Sequence, residues 1–290
     1  MSFIKSLNEG KFITLAEIDP PKGVNHSSLS ESLTLLKGRV DALLVTDMPS
    51  AVMKLGSLAT AYLLKNDGFD VISNITCRDR NVLALQSDLL SASTLGIENI
   101  YITDGDDITF GDHPNAKPVM EVDAAQLLSI TKALQGGSDL EANSLDGSPQ
   151  FNVGAYLNIK GDGNIFDITV EEVEDQVQND VSFLITPAIF DLTAFERVLQ
   201  KVKHLNVPII ASVILLKSVA TARFLNKHVD NVYVPDTIIE RLYTAGDKQK
   251  ESMTITAELI NGMKNLCHGV NIMAMGWEDK IALYLDAAHI

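Results

Sequence analysis

The sequence predicts an α/β fold of the (β/α)8 TIM-barrel class, and two observations predict it. Eight short apolar runs rich in Val, Ile and Thr recur along the chain: Phe12–Ile18, Ala42–Asp47, Val71–Arg78, Asn99–Gly105, Phe151–Asn158, Ser182–Ile189, Pro208–Leu216 and Val270–Gly276. Their near-continuous apolar character is that of strands buried on both faces of a parallel sheet. Each run is followed by an amphipathic stretch, as strand–crossover–strand units require.

Taken in order, the helical stretches are Leu29–Lys37, Ala51–Lys65, Val82–Leu95, Asp123–Leu134, Val170–Gln178, Leu192–His204, Ser218–Asn226 and Glu278–Ala288. Gly96 stands where a C′ glycine closes the third of them. Asp191 is an N-cap type before Leu192, and Thr169 with Glu172 three residues on reads as a capping box. Asp236–Leu266 is too long for one connection and predicts two extra helices before the last strand. Gln135–Gln150, with its Gly-Gly-Ser and Asp-Gly-Ser-Pro stretches, predicts a flexible loop on the face opposite the strand C-termini. With no linker or repeat visible, residues 1–290 read as one barrel domain with a helical insertion over about 236–266.

Composition narrows the function classes. The 290 residues carry 23 Lys+Arg against 38 Asp+Glu, a formal net charge of −15. That balance argues against nucleic acid and against an anionic membrane surface as partners. There is no uninterrupted apolar run of membrane-spanning length and no signal-type N-terminus, so a soluble cytoplasmic location is expected. Two cysteines, Cys77 and Cys267, exclude a disulfide scaffold. Six scattered histidines show no HxH or HExxH spacing, so no metal site is expected. No GxGxxG follows a strand and no Walker motif occurs, so a nucleotide would be held by barrel loops.

In such a barrel, chemistry sits at the strand C-termini. Reading those ends gives Glu17 ahead of Asp19-Pro20-Pro21-Lys22-Gly23, then Thr46-Asp47, then Thr76-Cys77-Arg78-Asp79-Arg80-Asn81. Next come Asp104-Gly105-Asp106-Asp107, Tyr156 with Asn158, Thr186-Pro187 and Lys217-Ser218. Glu17, a carboxylate inside an apolar run, reads as a buried paired group or as a general acid of raised pKa. Arg78-Asp79-Arg80 reads equally as a local ion-pair network. The Asp104/Asp106/Asp107 cluster reads as a solvated loop rather than a cation site. Cys77 reads as a small buried residue.

These strand ends carry a pattern. Ala16-Glu17-Ile18-Asp19-Pro20-Pro21-Lys22-Gly23, Asn74 to Asn81, Gly105-Asp106, Gly111 to Val119, Leu216-Lys217-Ser218 and Val234-Pro235-Asp236 with Arg241-Leu242 appear in the order found in the methylenetetrahydrofolate reductase family. The chain resembles the short, catalytic-domain-only members of that family. The resemblance implies a cytoplasmic flavoprotein of one-carbon metabolism, carrying FAD (or FMN), with NAD(P)H as a possible electron donor. It would reduce 5,10-methylene-tetrahydrofolate to 5-methyl-tetrahydrofolate, as in methionine biosynthesis. On that likeness Glu17 is the general acid and Asp106 the loop aspartate beside flavin and pterin. Thr46, Asn74, Asp104, Gly105, Asp106 and Tyr156 fall where relatives contact cofactor, and Glu17, Asp106 and Lys217 would bind substrate. A homo-oligomer, and an electron-donor or methyl-transfer partner subunit, are further expectations.

The chain departs from the family at several positions. Pro187 replaces a Gln that contacts pterin and nicotinamide. Gln176 replaces a Lys that contacts the flavin phosphate. Asp104 replaces an Arg and Asn74 a His of some members, and Asn158-Ile159 replaces Asn-Pro. Two alternatives therefore stand beside the reductase: a flavin-free pterin-binding subunit of a methyl-transfer complex, or a reductase acting on another methylene-pterin.

Overall fold

Eight parallel strands close into a barrel, and every strand run expected from the sequence supplies one of them. The computed structural model describes residues 2–162 and 165–290. The strands are β1 (Ile13–Ile18), β2 (Ala42–Val45), β3 (Val71–Thr76), β4 (Asn99–Thr103), β5 (Asn152–Tyr156), β8 (Val181–Ala188), β9 (Ile209–Ile214) and β10 (Gly269–Met273), and β1 closes the cylinder against β10. A two-stranded antiparallel hairpin, β6 (Ile159–Asp162) with β7 (Ile165–Ile168), follows β5. The helices are α1 (Phe3–Asn8), α2 (Ser27–Leu33), α3 (Ser57–Asn66), α4 (Val82–Thr94), α5 (Ala124–Gln135), α6 (Val170–Gln178), α7 (Leu192–Val202), α8 (Val219–His228), α9 (Asp236–Thr244), α10 (Lys248–Met263) and α11 (Ile281–Ala288). The long stretch before the last strand is the helix pair α9 and α10, as the sequence predicts. Among the described residues, no helix is long and apolar enough to cross a membrane.

Side chains alternate faces along each strand, so the barrel has two apolar populations. Ala16, Ile18, Leu43, Val45, Ile100, Ile102, Val270 and Ile272 point outward under the helices. Ile13, Leu15, Ala42, Leu44, Ile72, Tyr101, Phe183, Ile185 and Ile210 point inward and fill the lumen. Gly154 opposes Phe183, and a Cβ at Gly154 would lie 2.3 Å from that ring, so the strand yields its volume to the aromatic.

Two elements were not legible in the sequence. Helix α1 closes the bottom of the barrel: Phe3 and Leu7 belong to the lumen cluster, and Phe3 meets Phe183 edge-to-face at 5.2 Å. The Phe3 amide donates to Asp70 Oδ2 at 2.6 Å, which ties the helix entry to the start of β3. The β6–β7 hairpin is too short for its alternation to stand out. Its Lys160 reaches Glu172 at 2.8 Å, and Thr169 makes no side-chain cap on α6, so the expected capping box is replaced by an ion pair from the hairpin. A capping box does form at Asp123 and Gln126. Asp191 caps α7, and Gly96 takes φ +71° just past α4, both as expected. The Gln135–Gln150 stretch is a hydrogen-bonded turn, with Asp139 Oδ1 accepting from the Asn143 amide at 2.8 Å.

Replacing Phe3 by Ala removes the aromatic plug and leaves a cavity in the lumen. The expected cost is about 3–5 kcal/mol of unfolding free energy, read by denaturant titration, with strand content by circular dichroism retained.

Candidate functional site

The inward alternation that fills the lumen also decides which polar groups reach its upper mouth. On β1, Glu17 follows Ile13 and Leu15 on the inner face, opposite Leu44 of β2 and Met273 of β10. The same phase brings up Thr46 beyond β2, Asn74 on β3, Thr103 on β4, Tyr156 on β5 and Asn271 on β10. Thus Glu17, Thr46, Asn74 and Tyr156, all expected at the site, share one face.

Glu17 is the centre of this group. Its Oε2 accepts a 3.3 Å hydrogen bond from Asn271 Nδ2, and its surroundings otherwise disfavour a charge. Burial, then repulsion from Asp19, Asp106 and Glu278, raises its pKa to about 8, partly opposed by the Asn271 bond. A carboxyl so placed holds its proton at neutral pH.

Asp106 lies close enough to Glu17 and Tyr156 to raise both. Its carboxylate is held by the Ser50 amide at 2.6 Å. Arg78, only 2% exposed, donates to the Asp106 carbonyl at 3.0 Å and to the Met48 carbonyl at 3.3 Å, while Asp79 takes the rest of its guanidinium. This buried cation fastens the loop after β2 to the loop after β4. The first loop is strained: Met48, Ser50 and Ala51 have φ of 45°, 53° and 55°. Two glycines let the loops meet. Gly105 has φ +91°, and a Cβ there would lie 3.1 Å from Thr76 and 3.2 Å from Arg78; a Cβ at Gly111 would lie 2.0 Å from the Ala51 carbonyl oxygen.

The other expected residues are held by the protein itself. Thr46 donates to Asp19 Oδ1 at 2.9 Å, and Lys54 holds the other Asp19 oxygen at 2.6 Å. Asn74 donates to the Tyr101 carbonyl at 2.9 Å and to Thr103 at 3.1 Å, and accepts from the Asp47 amide at 3.4 Å. Asp104 turns toward α5 and accepts from the Ala124 amide at 2.7 Å. Burial pushes the Tyr156 phenol up to about 12, and its hydroxyl bonds Asn231. Lys217, in the loop after β9, sends its amine to the Met275 carbonyl in the loop after β10 and lies 5.4 Å from the Trp277 ring centre. Cys77 points outward, and burial first, then Asp104, raises its thiol to about 12, so it is no nucleophile at neutral pH.

The cations at the strand ends do not converge on one ligand. Lys22 pairs with Asp112, Arg78 with Asp79, and Arg80 with Asp47 and Asp88. Lys22, Met53 and His113 together hold Asp112 well below the usual carboxylate range. Arg80 also donates to the Thr76 carbonyl at 3.2 Å, and Thr76 donates to Asp47 at 3.0 Å. Among the described residues, no group of three or more His, Cys, Asp or Glu is arranged to hold a metal ion.

A flavin phosphate can be tested against these positions. Gln176 donates to the Tyr156 carbonyl at 2.9 Å, and its Oε1 is buried without a partner. That orphan atom is an acceptor, which repels a phosphate oxygen. The N-terminus of α5 is capped by Asp123 and Asp104, and the first turn of α6 carries Glu171 and Glu172. The dipole ends of α5 and α6 thus already face carboxylates. These residues do not fit a flavin's phosphate end.

Sequence reasoning missed Asn271, Ser212, Asp19 and the clamping role of Arg78. The signal for the first two was present: a polar residue in phase with the inward positions of an otherwise apolar strand, in Val270-Asn271-Ile272 and Ala211-Ser212-Val213.

A family model described as methylenetetrahydrofolate reductase matches residues 2–287. Among solved structures, a protein of Clostridium thermocellum that binds two copies of 5-methyl-5,6,7,8-tetrahydrofolic acid shares the fold with a TM-score of 0.63 at 16% identity, covering 99% of each chain. The EDTA monooxygenase EmoA of Chelativorans sp. BNC1 has a TM-score of 0.57 at 10% identity, over 96% of this chain and 92% of that one. The Bacillus cereus spore cortex-lytic enzyme SleL has a TM-score of 0.55 at 13% identity, over 96% and 74%. At these identities the likeness is one of fold. No curated protein matches the sequence significantly.

Glu17 binds its proton more tightly in the folded chain, at about 8, than at its ordinary value of 4.5. The folded state therefore holds the extra proton between those values, and stability falls as pH rises through that window, levelling off above about 8. At about 1.4 kcal/mol per pKa unit the fall is of order several kcal/mol. Glu17→Gln is expected to flatten it, and urea titrations at pH 5 and pH 8.5 compare the two slopes.

Proposed function

The chain belongs to the methylenetetrahydrofolate reductase family, and from that premise we propose that its barrel mouth binds a methylene-tetrahydropterin and carries it to the 5-methyl level. The observation that supports this most is Glu17, a carboxyl kept protonated near neutral pH at the lumen mouth. The one-carbon bridge joins N5 and N10 of the substrate. Protonation of N10 lets the C–N10 bond break with its electron pair going to N10, and the N5 lone pair moves onto the methylene carbon to give an iminium at N5. Glu17 is the group that supplies the proton. Asp106, tied by Ser50 and the Arg78 clamp, offers a fixed negative charge to the cation developing at N5. Hydride then adds to the methylene carbon to give the methyl group.

The hydride comes from a dihydronicotinamide, from a dihydroflavin, or from an electron-donor partner. Because Gln176 and the N-termini of α5 and α6 do not suit a flavin phosphate, the donor is read as a second substrate that enters and leaves. The neighbour from Clostridium thermocellum binds 5-methyl-tetrahydrofolic acid, the ligand class proposed here. Incubating the protein with methylene-tetrahydrofolate and each donor, with mass-spectrometric detection of the methyl product, tests this reading. Visible absorbance of the purified protein tests for retained flavin. Methylene-tetrahydromethanopterin, offered in parallel, distinguishes the pterin.

That Lys22, Arg78, Arg80 and Lys217 are all held by the protein itself also favours a second reading, a flavin-free pterin-binding subunit of a methyl-transfer complex. That reading expects pterin binding by calorimetry and no turnover with any donor.

Two outcomes are expected of the acid. Glu17→Gln lowers kcat by roughly 10²–10⁴-fold while pterin affinity by calorimetry stays within a few-fold. In the parent, kcat/KM falls as pH rises through about 8, because only protonated Glu17 opens the bridge.

A further inference from the structure

We infer that Asn271, Ser212 and Thr186 form a relay that positions the Glu17 carboxyl, fixing Oε2 as an acceptor and leaving Oε1 to present the proton to the ligand. The inference rests on the role proposed for Glu17. The chain of contacts crosses four strands of the lumen. Asn271 Nδ2 on β10 reaches Glu17 Oε2 on β1 at 3.3 Å, and the same nitrogen reaches Ser212 Oγ on β9 at 3.3 Å. Ser212 Oγ lies 2.7 Å from the Thr186 carbonyl of β8, and the Ser212 amide donates to Thr186 Oγ1 at 3.1 Å. Asn271, Ser212 and Thr186 are each no more than 2% exposed.

The direction of the relay follows from donor and acceptor chemistry. A carbonyl oxygen can only accept, so the Ser212 hydroxyl proton goes to Thr186. Ser212 Oγ is then an acceptor toward Asn271, which sets the amide with its NH2 group facing both Ser212 and Glu17. Asn271 Oδ1 is left buried with no partner. Turning the amide over would satisfy that oxygen only if Glu17 or Ser212 donated to it, and the Ser212 proton is already held. A proton on Glu17 Oε2 would point at the Asn271 NH2 group, so the neutral acid carries its proton on Oε1. The pairing of β8 with β9 shifts register between Ile185 and Ala188, where Thr186 joins this chain. The inward apolar pattern of β9 and β10 is thus interrupted at the level below Glu17 by two polar residues with a defined direction.

Other ionisable groups also face Glu17: Asp19 after β1, Asp106 after β4, Glu278 after β10 and Tyr101 on β4. All of these favour the neutral acid when charged, and Asn271 is the neighbour that favours its ionised form. Removing the Asn271 donor therefore moves the titration of Glu17 upward. So does Ser212→Ala, which frees the amide to turn its oxygen toward the acid.

The test is a 13C NMR titration of the full-length protein labelled at the Glu side-chain carboxyl carbon, with the Glu17 signal assigned by its loss in Glu17→Gln. Asn271→Leu and Ser212→Ala are each expected to raise the Glu17 midpoint by about one pH unit and to move the alkaline limb of the turnover profile by the same interval. Ser212→Ala removes one oxygen and guards against an Asn271 variant that fails to fold. Midpoints unchanged within 0.2 of the parent value, roughly the precision of such a titration, would overturn the relay. A parent protein that turns over no methylene-pterin would instead sink the proposed function, while the titration midpoints still decide the relay.

Discussion

The rest of the molecule depends on one constraint, the closure of eight parallel strands with every second side chain turned inward. Closure gives the lumen a bottom and a top. Phe3, Leu7 and Phe183 seal the bottom. A two-residue step along any strand lifts the chain from packed apolar layers to a polar rim, as Ile13, Leu15 and Glu17 do on β1. The half-buried carboxyl faces the mouth because the strand cannot turn it outward without pulling Ile13 and Leu15 out of the lumen and Ala16 and Ile18 from under the helices. Fold and acid are set by the same register.

Electrostatics at the rim follows from how the chain uses its charges. The excess of acid does not spread evenly over the mouth. Asp47 and Asp79 are neutralised by Arg80 and Arg78, and Asp112 by Lys22. Glu17, Asp19, Asp106 and Glu278 remain near one another, with Lys54 on Asp19. Crowded carboxylates raise the affinity of the most buried one for a proton. An acidic mouth also favours a developing cation over an anionic phosphate. A protonated Glu17 and the poor fit of a flavin phosphate thus share one physical origin.

Rigidity around this mouth comes from a buried cation. Arg78 is bound to two loop carbonyls and to Asp79, so removing it would leave a half-buried, unpaired carboxylate and two unsatisfied acceptors. Three residues of the β2 loop sit at positive φ, a cost that persists because Arg78, the Asp106 carboxylate and the Gly111 contact over-determine the loop. Asp106 is placed by this strain, since its partner is the amide of one strained residue, Ser50.

The sequence by itself determined the barrel, because eight apolar runs with intervening amphipathic stretches admit few other closures. It also singled out Glu17 as the candidate acid, because a lone Glu inside an apolar run at a strand end is either a buried paired group or a proton donor. The family pattern around Glu17 and Cys77–Asn81 pointed to the chemistry. It did not reveal that α1 plugs the lumen, since a six-residue helix has too little periodicity to declare itself. Nor did it reveal the fate of the cations. Lys22 with Asp112 and Arg80 with Asp47 are 90 and 33 residues apart, and only the folded chain brings such partners together. The clearest case is Asn271, 254 residues from Glu17 along the chain and hydrogen-bonded to it in the fold. Strand register between the first and last strands decides that contact. Local sequence carries no record of it, because register belongs to the closed barrel.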